Sequence, residues 1–254
     1  MTDQIARIDV PVVREPAIAH AIRELVIGNR ILAHQGVLDA FGHVSVRHPA
    51  NPERYFMPRS RGPALVVADD IIEYALDGTP IDQRGRPQYS ERAIHGAIYR
   101  ARPDVKAVAH NHSPAVIPFG VTNTTLKPIF HMASVIGGDV PIWDIADEFG
   151  DATDLLVIRN EVGASLAKTL GTARVVLMRG HGSAVTGRTI QEAVFIAVFM
   201  QMNAQLQLAS HQLGGDVKFL SPNEVASASA ILLEPLGQQR AWQTWAHAAG
   251  FTDV

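Results

Sequence analysis

Short apolar runs alternate with longer segments of helical periodicity along this chain, and that alternation restricts it to a layered α/β architecture. Residues 15–38, EPAIAHAIRELVIGNRILAHQGVL, carry apolar side chains at helical spacing and stop at Gly36. FGHVSVR (41–47) alternates as a strand does, and Arg54 to Pro58 begins another. Ala68-Asp69-Asp70-Ile71 has the form of a short helix start, and Asp77-Gly78 marks a turn between two extended pieces. Ser90 is the predicted N-cap of a helix through ERAIHGAIYRARP, which must stop near Pro103. VKAVAHNH (105–112) and ARVVLMRG (173–180) have the length and composition of buried strands, the second running directly into HGSAVTG. From about Ile190 to Leu213 a pattern without Pro or Gly predicts a long helix, and the tail 211–254 is expected to be helical as well. No Pro/Gly/Ser-rich linker divides residues 1–254, so they read as one domain.

Composition narrows the function classes. The 254 residues include no cysteine, which removes disulfides, thiolate nucleophiles and iron–sulfur ligation together. Any transition-metal site must then use histidine and carboxylate, and there are 11 histidines. A net charge of −3 offers no basic field for nucleic acid or an anionic membrane. The first residues, MTDQIARIDVPVVREP, contain no apolar run of signal-peptide length, and no later segment approaches an uncharged span of about 20 residues. A cytoplasmic enzyme acting on a small molecule is the expectation.

The histidines carry the sharpest signal. On a strand, residues i and i+2 share a face, so His110 and His112 stand roughly 6.5–7 Å apart at the backbone and can converge on one ion. Such pairs also arise by chance. His181 adds weight: it follows another apolar run and is flanked by glycines that leave open approach. Three histidines at two strand ends describe a catalytic metal site with open coordination positions. Glu91, in the first turn after Ser90, is the candidate acid/base; its bland reading is a carboxylate that only stabilises a helix start. His95, four residues on, shares that helix face and fits a core histidine better than a contact to Glu91.

Together GHVSVR (42–47), SERAIHGAIYRARPDVKAVAHNH (90–112) and LMRGHG (177–182), in that order, resemble the class II aldolase/adducin family over roughly residues 18–210. The resemblance implies a three-layer α/β/α sandwich around a largely antiparallel or mixed sheet. It implies three histidine ligands, matched by His110, His112 and His181, and a catalytic glutamate matched by Glu91. One divalent metal per subunit follows, with zinc, manganese, cobalt and iron(II) all suited to three histidines. It also implies a homotetramer with active sites at subunit interfaces, and substrate-contacting residues in the PIFHMAS stretch, which makes His131 a candidate; the alternative is a core histidine. Adducin-like members keep this fold without catalysis, and the intact histidine set with Glu91 speaks against that scaffold reading.

Where sugar-phosphate aldolases of the family cradle a phosphate, this sequence departs. It has His43 in place of an asparagine, MPRSRGP in place of a Thr-Gly turn, and Tyr89-Ser90 in place of a Ser-Ser pair. The candidate substrate contacts are His43, Ser45, Arg59, Ser60, Arg61, Ser90 and His131, with Arg47 a further possibility. Guanidinium forks suit planar carboxylates, although each arginine alone also reads as solvated loop charge. The GHVSVR and SER-x-IH forms look most like the branch of non-oxidative decarboxylases of hydroxylated aromatic or pyridine dicarboxylates. An aldolase or epimerase acting on a small hydroxylated substrate is the alternative.

Overall fold

The computed structural model describes residues 15–253; the N-terminal residues 1–14, read above for a signal peptide, lie outside that range. Helix α1 (Pro16–His34) opens on a proline whose fixed φ suits the first helical position, and the chain leaves it through Gly36 at φ +67°. Strands β1 (His43–Arg47) and β2 (Arg54–Pro58) follow where alternation predicts them. The Ala68 segment is one 3-10 turn, Ala68–Asp70, and not a longer helix. The Asp70 carboxylate accepts the Val67 N–H at 2.9 Å, and Ile71 passes straight into β3 (Ile71–Ala75). The Asp77-Gly78 turn forms as expected, with Gly78 at φ +83° and Ala75 N–H bonded to the Thr79 carbonyl at 2.9 Å.

Helix α2 (Arg92–Ala101) corrects the expected cap. Its N-cap position is held by Glu91, at φ −89° and ψ 23°, whose side chain is turned elsewhere and makes no cap bond. Ser90 lies one residue outside. Next come β4 (Ala107–Asn111), the short α3 (Ile117–Gly120), a 3-10 stretch at His131–Ile136, β5 (Ile142–Trp143), α4 (Ile145–Phe149) and α5 (Asn160–Leu170). The apolar run predicted around residue 176 is β6 (Val175–Met178), which turns back at once into β7 (Gly182–Gly187). Helices α6 (Ile190–Gln212), α7 (Pro222–Leu232) and α8 (Pro235–Ala248) complete the fold.

The strands form one seven-stranded sheet in the order β3-β2-β1-β4-β7-β6-β5, antiparallel throughout except for the parallel β5–β6 pair. Strand alternation divides the core. Val44, Val46, Ala107, Ala109 and Val185 join the layer of α1, α6 and α8, whereas Tyr55, Met57, Val108 and Ala184 join that of α2 and α5. Helices on both faces of a mixed sheet make the expected α/β/α sandwich. Helix α6 is apolar and long enough to cross a membrane, closer to a span than its sequence was expected to come. Of its most apolar window, 67% is buried inside the fold, as befits a core helix.

Candidate metal centre

The centre of the sheet builds the site. On β4, Ala107 and Ala109 face the α1/α6 layer, so Val108 and His110 face α2, and His112 follows one residue past the strand end. His181 sits in the β6–β7 hairpin, where Gly180 takes φ +66° and His181 N–H bonds the Met178 carbonyl at 3.0 Å. Gly182 then passes so close to β4 that a Cβ there would stand 2.1 Å from the Asn111 carbonyl oxygen. Only glycine lets the hairpin bring His181 up against the end of β4.

The ligand atoms of Glu91, His110, His112 and His181 all lie within 4.8 Å of one another. His112 Nε2 is 3.1 Å from His110 Nε2 and 3.2 Å from His181 Nε2. A Glu91 oxygen stands 3.6 Å from His110 Nε2 and 3.5 Å from His181 Nε2. Each ring has an acceptor at Nδ1: the Ser183 carbonyl at 3.1 Å for His110, the Leu155 carbonyl at 2.9 Å for His181, and the Asp39 carboxylate at 3.1 Å for His112. With Nδ1–H donated outward, three Nε2 lone pairs and a carboxylate oxygen face one point, a repulsive arrangement until a cation occupies it. Nitrogens about 2.1 Å from a tetrahedral ion stand roughly 3.4 Å apart, close to the separations found here. The donor set fits a divalent cation.

Burial opposes ionisation of Glu91, but its contacts to His110 and His181 outweigh it and hold the carboxyl well below the usual range. Its other oxygen accepts the Val157 N–H at 2.9 Å, which fixes the side chain. Burial alone would lower His181, yet Glu91 raises it; fully buried His110 stays lowered. The carboxylate is therefore an anion aimed at the histidine set.

The other predicted residues are spread over several environments. His43, the register partner of His110 on β1, faces the cleft and bonds His95 Nε2 through Nδ1 at 2.8 Å. His95 Nδ1 in turn meets Ser45 Oγ at 2.6 Å, and Ser45 Oγ meets the Tyr99 hydroxyl at 2.7 Å. Ser45 is fully buried in this chain of bonds behind His43, away from the cleft wall. Arg47 is buried too, donating to the carbonyls of Tyr99, Val105 and Arg102. Arg59 and Arg61 share one partner, Asp70: Arg59 Nε at 2.5 Å, Arg61 Nη1 at 3.0 and 3.2 Å. Burial would raise the Asp70 pKa, and these bonds bring it below the ordinary value. Of the two arginines, Arg61 lines the cleft, as do Ser60 and Ser90. His131 is exposed on its 3-10 stretch and is not part of this cleft.

The cleft has a volume of about 600 Å³ and joins Glu91, His112 and His181 to Arg61, Phe41 and Leu156. Tyr89 and Gln88 also line it, although neither was among the predicted substrate contacts. The Tyr89 ring packs 4.4 Å from that of His43 and its hydroxyl donates to the Arg61 carbonyl; Gln88 keeps a buried side-chain oxygen without a partner. A loop glutamine gives no periodic signal that could have marked it. A second cavity of about 680 Å³ opens at the far end of the sheet, but its Arg102 and Arg188 are closed on Asp104 and Glu192.

The profile of the Class II Aldolase and Adducin N-terminal domain matches residues 23–208. A protein named Decarboxylase tropJ, from Talaromyces stipitatus, is 34% identical over 246 residues, covering 88% of this chain and 92% of its own. The 3,4-dihydroxyphthalate decarboxylase of Arthrobacter keyseri is 30% identical over 242 residues, covering 90% and 92%. Among solved structures, an aldolase II superfamily protein from Pseudomonas syringae superposes with a TM-score of 0.78 at 21% identity, over 93% of this chain and 94% of that one.

Proposed function

Since the chain belongs to the class II aldolase and adducin family, we propose that it is a metal-dependent, non-oxidative decarboxylase of a hydroxylated aromatic or pyridine carboxylate. The observation that carries this reading is the placing of Glu91, His112 and His181 in one cleft with Arg61 and two apolar side chains, Phe41 and Leu156. Cation-binding donors, an arginine and apolar walls suit a flat ring bearing hydroxyl and carboxylate groups. Relatives named as decarboxylases, similar over about nine-tenths of the chain, support the same class of reaction. In this reading residues 1–254 are one domain that works in the cytoplasm as a homotetramer, with active sites at subunit interfaces.

His110, His112 and His181 would hold one divalent ion, with Glu91 beside it. When bound, such an ion supplies Lewis acidity and orients the substrate oxygens. Glu91, kept as an anion, takes the proton of the ring hydroxyl and passes it to the ring carbon that bears the carboxylate, leaving a ring ketone. The bond from that carbon to the carboxylate then breaks, its electron pair restores the aromatic ring and the phenolate oxygen, and CO2 leaves. Water reprotonates the phenolate and departs as hydroxide. Arg61 anchors a carboxylate by charge-assisted bonds, Gln88 accepts from a hydroxyl, and His43 contacts the ring substituents from the cleft floor.

The test is a screen of hydroxyphthalates and hydroxypyridine dicarboxylates for CO2 release with zinc, manganese, cobalt or iron(II), beside sugar phosphates assayed for aldehyde release. CO2 from a hydroxy-acid is the expected result. Aldehyde from a sugar phosphate with no CO2 from any acid makes the protein an aldolase, and inactivity in both arms by an ion-loaded chain returns the scaffold reading.

A further inference from the structure

Asp39 holds a backbone turn with one carboxylate oxygen and meets a histidine ring with the other. Its Oδ1 accepts the Phe41 and Gly42 N–H groups at 2.8 and 2.9 Å, and its Oδ2 stands 3.1 Å from His112 Nδ1. We propose that Asp39 is the positioning residue for His112, holding the ring in the tautomer and orientation that turn Nε2 toward His110 and His181. The inference rests on the metal-centre reading given above.

The three rings differ in how they are confined. The His110 side chain is 0% exposed and that of His181 is 9% exposed, so packing alone restricts both. Their Nδ1 partners are backbone carbonyls, fixed by the strand and loop that carry them. His112 lies beyond the end of β4 with a side chain 20% exposed, and its Nδ1 partner is a side chain. It is the ring least held by packing, so a hydrogen bond must do more of the orienting. A carboxylate can only accept, so it permits one neutral tautomer of His112: proton on Nδ1, lone pair on Nε2. The same carboxylate ties down the turn that carries Phe41 on the cleft wall, linking the ring's orientation to the shape of the substrate space.

Asp39→Asn separates this role from plain turn formation. The asparagine side-chain oxygen can still accept both backbone N–H groups, so the turn survives. Its amide then presents an N–H to His112 Nδ1 and drives the ring proton onto Nε2, where it blocks coordination. The expected result is a 10- to 100-fold loss of zinc affinity by chelator competition. In the zinc-free protein, 15N-resolved histidine spectra should show His112 moving from the Nδ1–H to the Nε2–H form while His110 and His181 do not change. Unchanged zinc affinity with His112 still protonated at Nδ1 reduces Asp39 to a turn residue and overturns the proposal. A wild-type chain that takes up no zinc, manganese, cobalt or iron removes the metal centre and this role of Asp39 with it.

Discussion

His43 Nδ1 lies 2.8 Å from His95 Nε2, and neither ring has more than 1% of its surface open to solvent. Burial holds His95 down to about 3 and pushes His43 well below the usual histidine range, so both are neutral in the folded chain. Unfolded, each takes a proton below about pH 6.5. Between about pH 6.5 and pH 3 the unfolded state therefore binds more protons. Stability is fully present above that window and is lost as the pH falls through it. One such ring contributes a slope of up to ~1.4 kcal/mol per pH unit. Urea unfolding at pH 7, 6 and 5 should show a shallower acid loss for His95→Gln than for the wild type; parallel curves would show that His95 is charged when folded.

Glu91→Gln retains an oxygen for the Val157 N–H and removes the group that carries the proton. Metal content should stay at the wild-type level while kcat falls by at least the ~10²-fold typical of a lost acid/base group. Plasma emission on the purified variant and a CO2-release assay test the two halves separately. Full turnover in a metal-loaded variant takes Glu91 out of the mechanism.

Removing the ion should act on stability as well as on turnover. An ion held by His110, His112, His181 and Glu91 would bind the folded chain alone, since only there do these donors meet. Free metal at about a hundred times its Kd adds ~2.7 kcal/mol to the unfolding free energy. Thermal melts with and without a chelator should separate by several degrees, and His110→Ala should melt at one temperature under both conditions.

Asp70 divides the work of the two arginines. Arg61 reaches the cleft while Arg59, on the same carboxylate, does not line it. Losing one charge-assisted contact costs about 1.5–3 kcal/mol, so Arg61→Ala should raise KM for a dicarboxylate by roughly 10- to 150-fold with metal content intact. Arg59→Ala should leave KM within a few-fold and lower the melting temperature. Equal KM effects from both substitutions would mean that both guanidiniums bind substrate.

The donor set was legible because period-two spacing sends His110, on β4, and His112, just past it, to one side, and because His181 ends another apolar run between glycines. Ser45 was misplaced for a physical reason. Its position on β1 shows which face it takes, but the partner that claims it, His95, is 50 residues away. Arg59 and Arg61 looked free since Asp70 reaches them only after the 3-10 turn folds back. Helix α5 escaped notice because Gly163 and Ser165 interrupt its propensity, and β5, with two residues, is too short to show alternation.

The distance along the chain between the ligands has a kinetic consequence. His112 and His181 are 69 residues apart, and they meet only where the β6–β7 hairpin docks on β4. Closing so long a loop is an entropic cost met before any ion could find its full donor set, so an ion would arrive only after the sheet centre has formed. A ligand absent from the folding transition state leaves the folding rate alone and slows unfolding. The chain should therefore refold equally fast with and without metal, while the loaded form unfolds more slowly. The hairpin turn at Gly180 and His181 would thus make a bound ion a latch, set last on folding and released first.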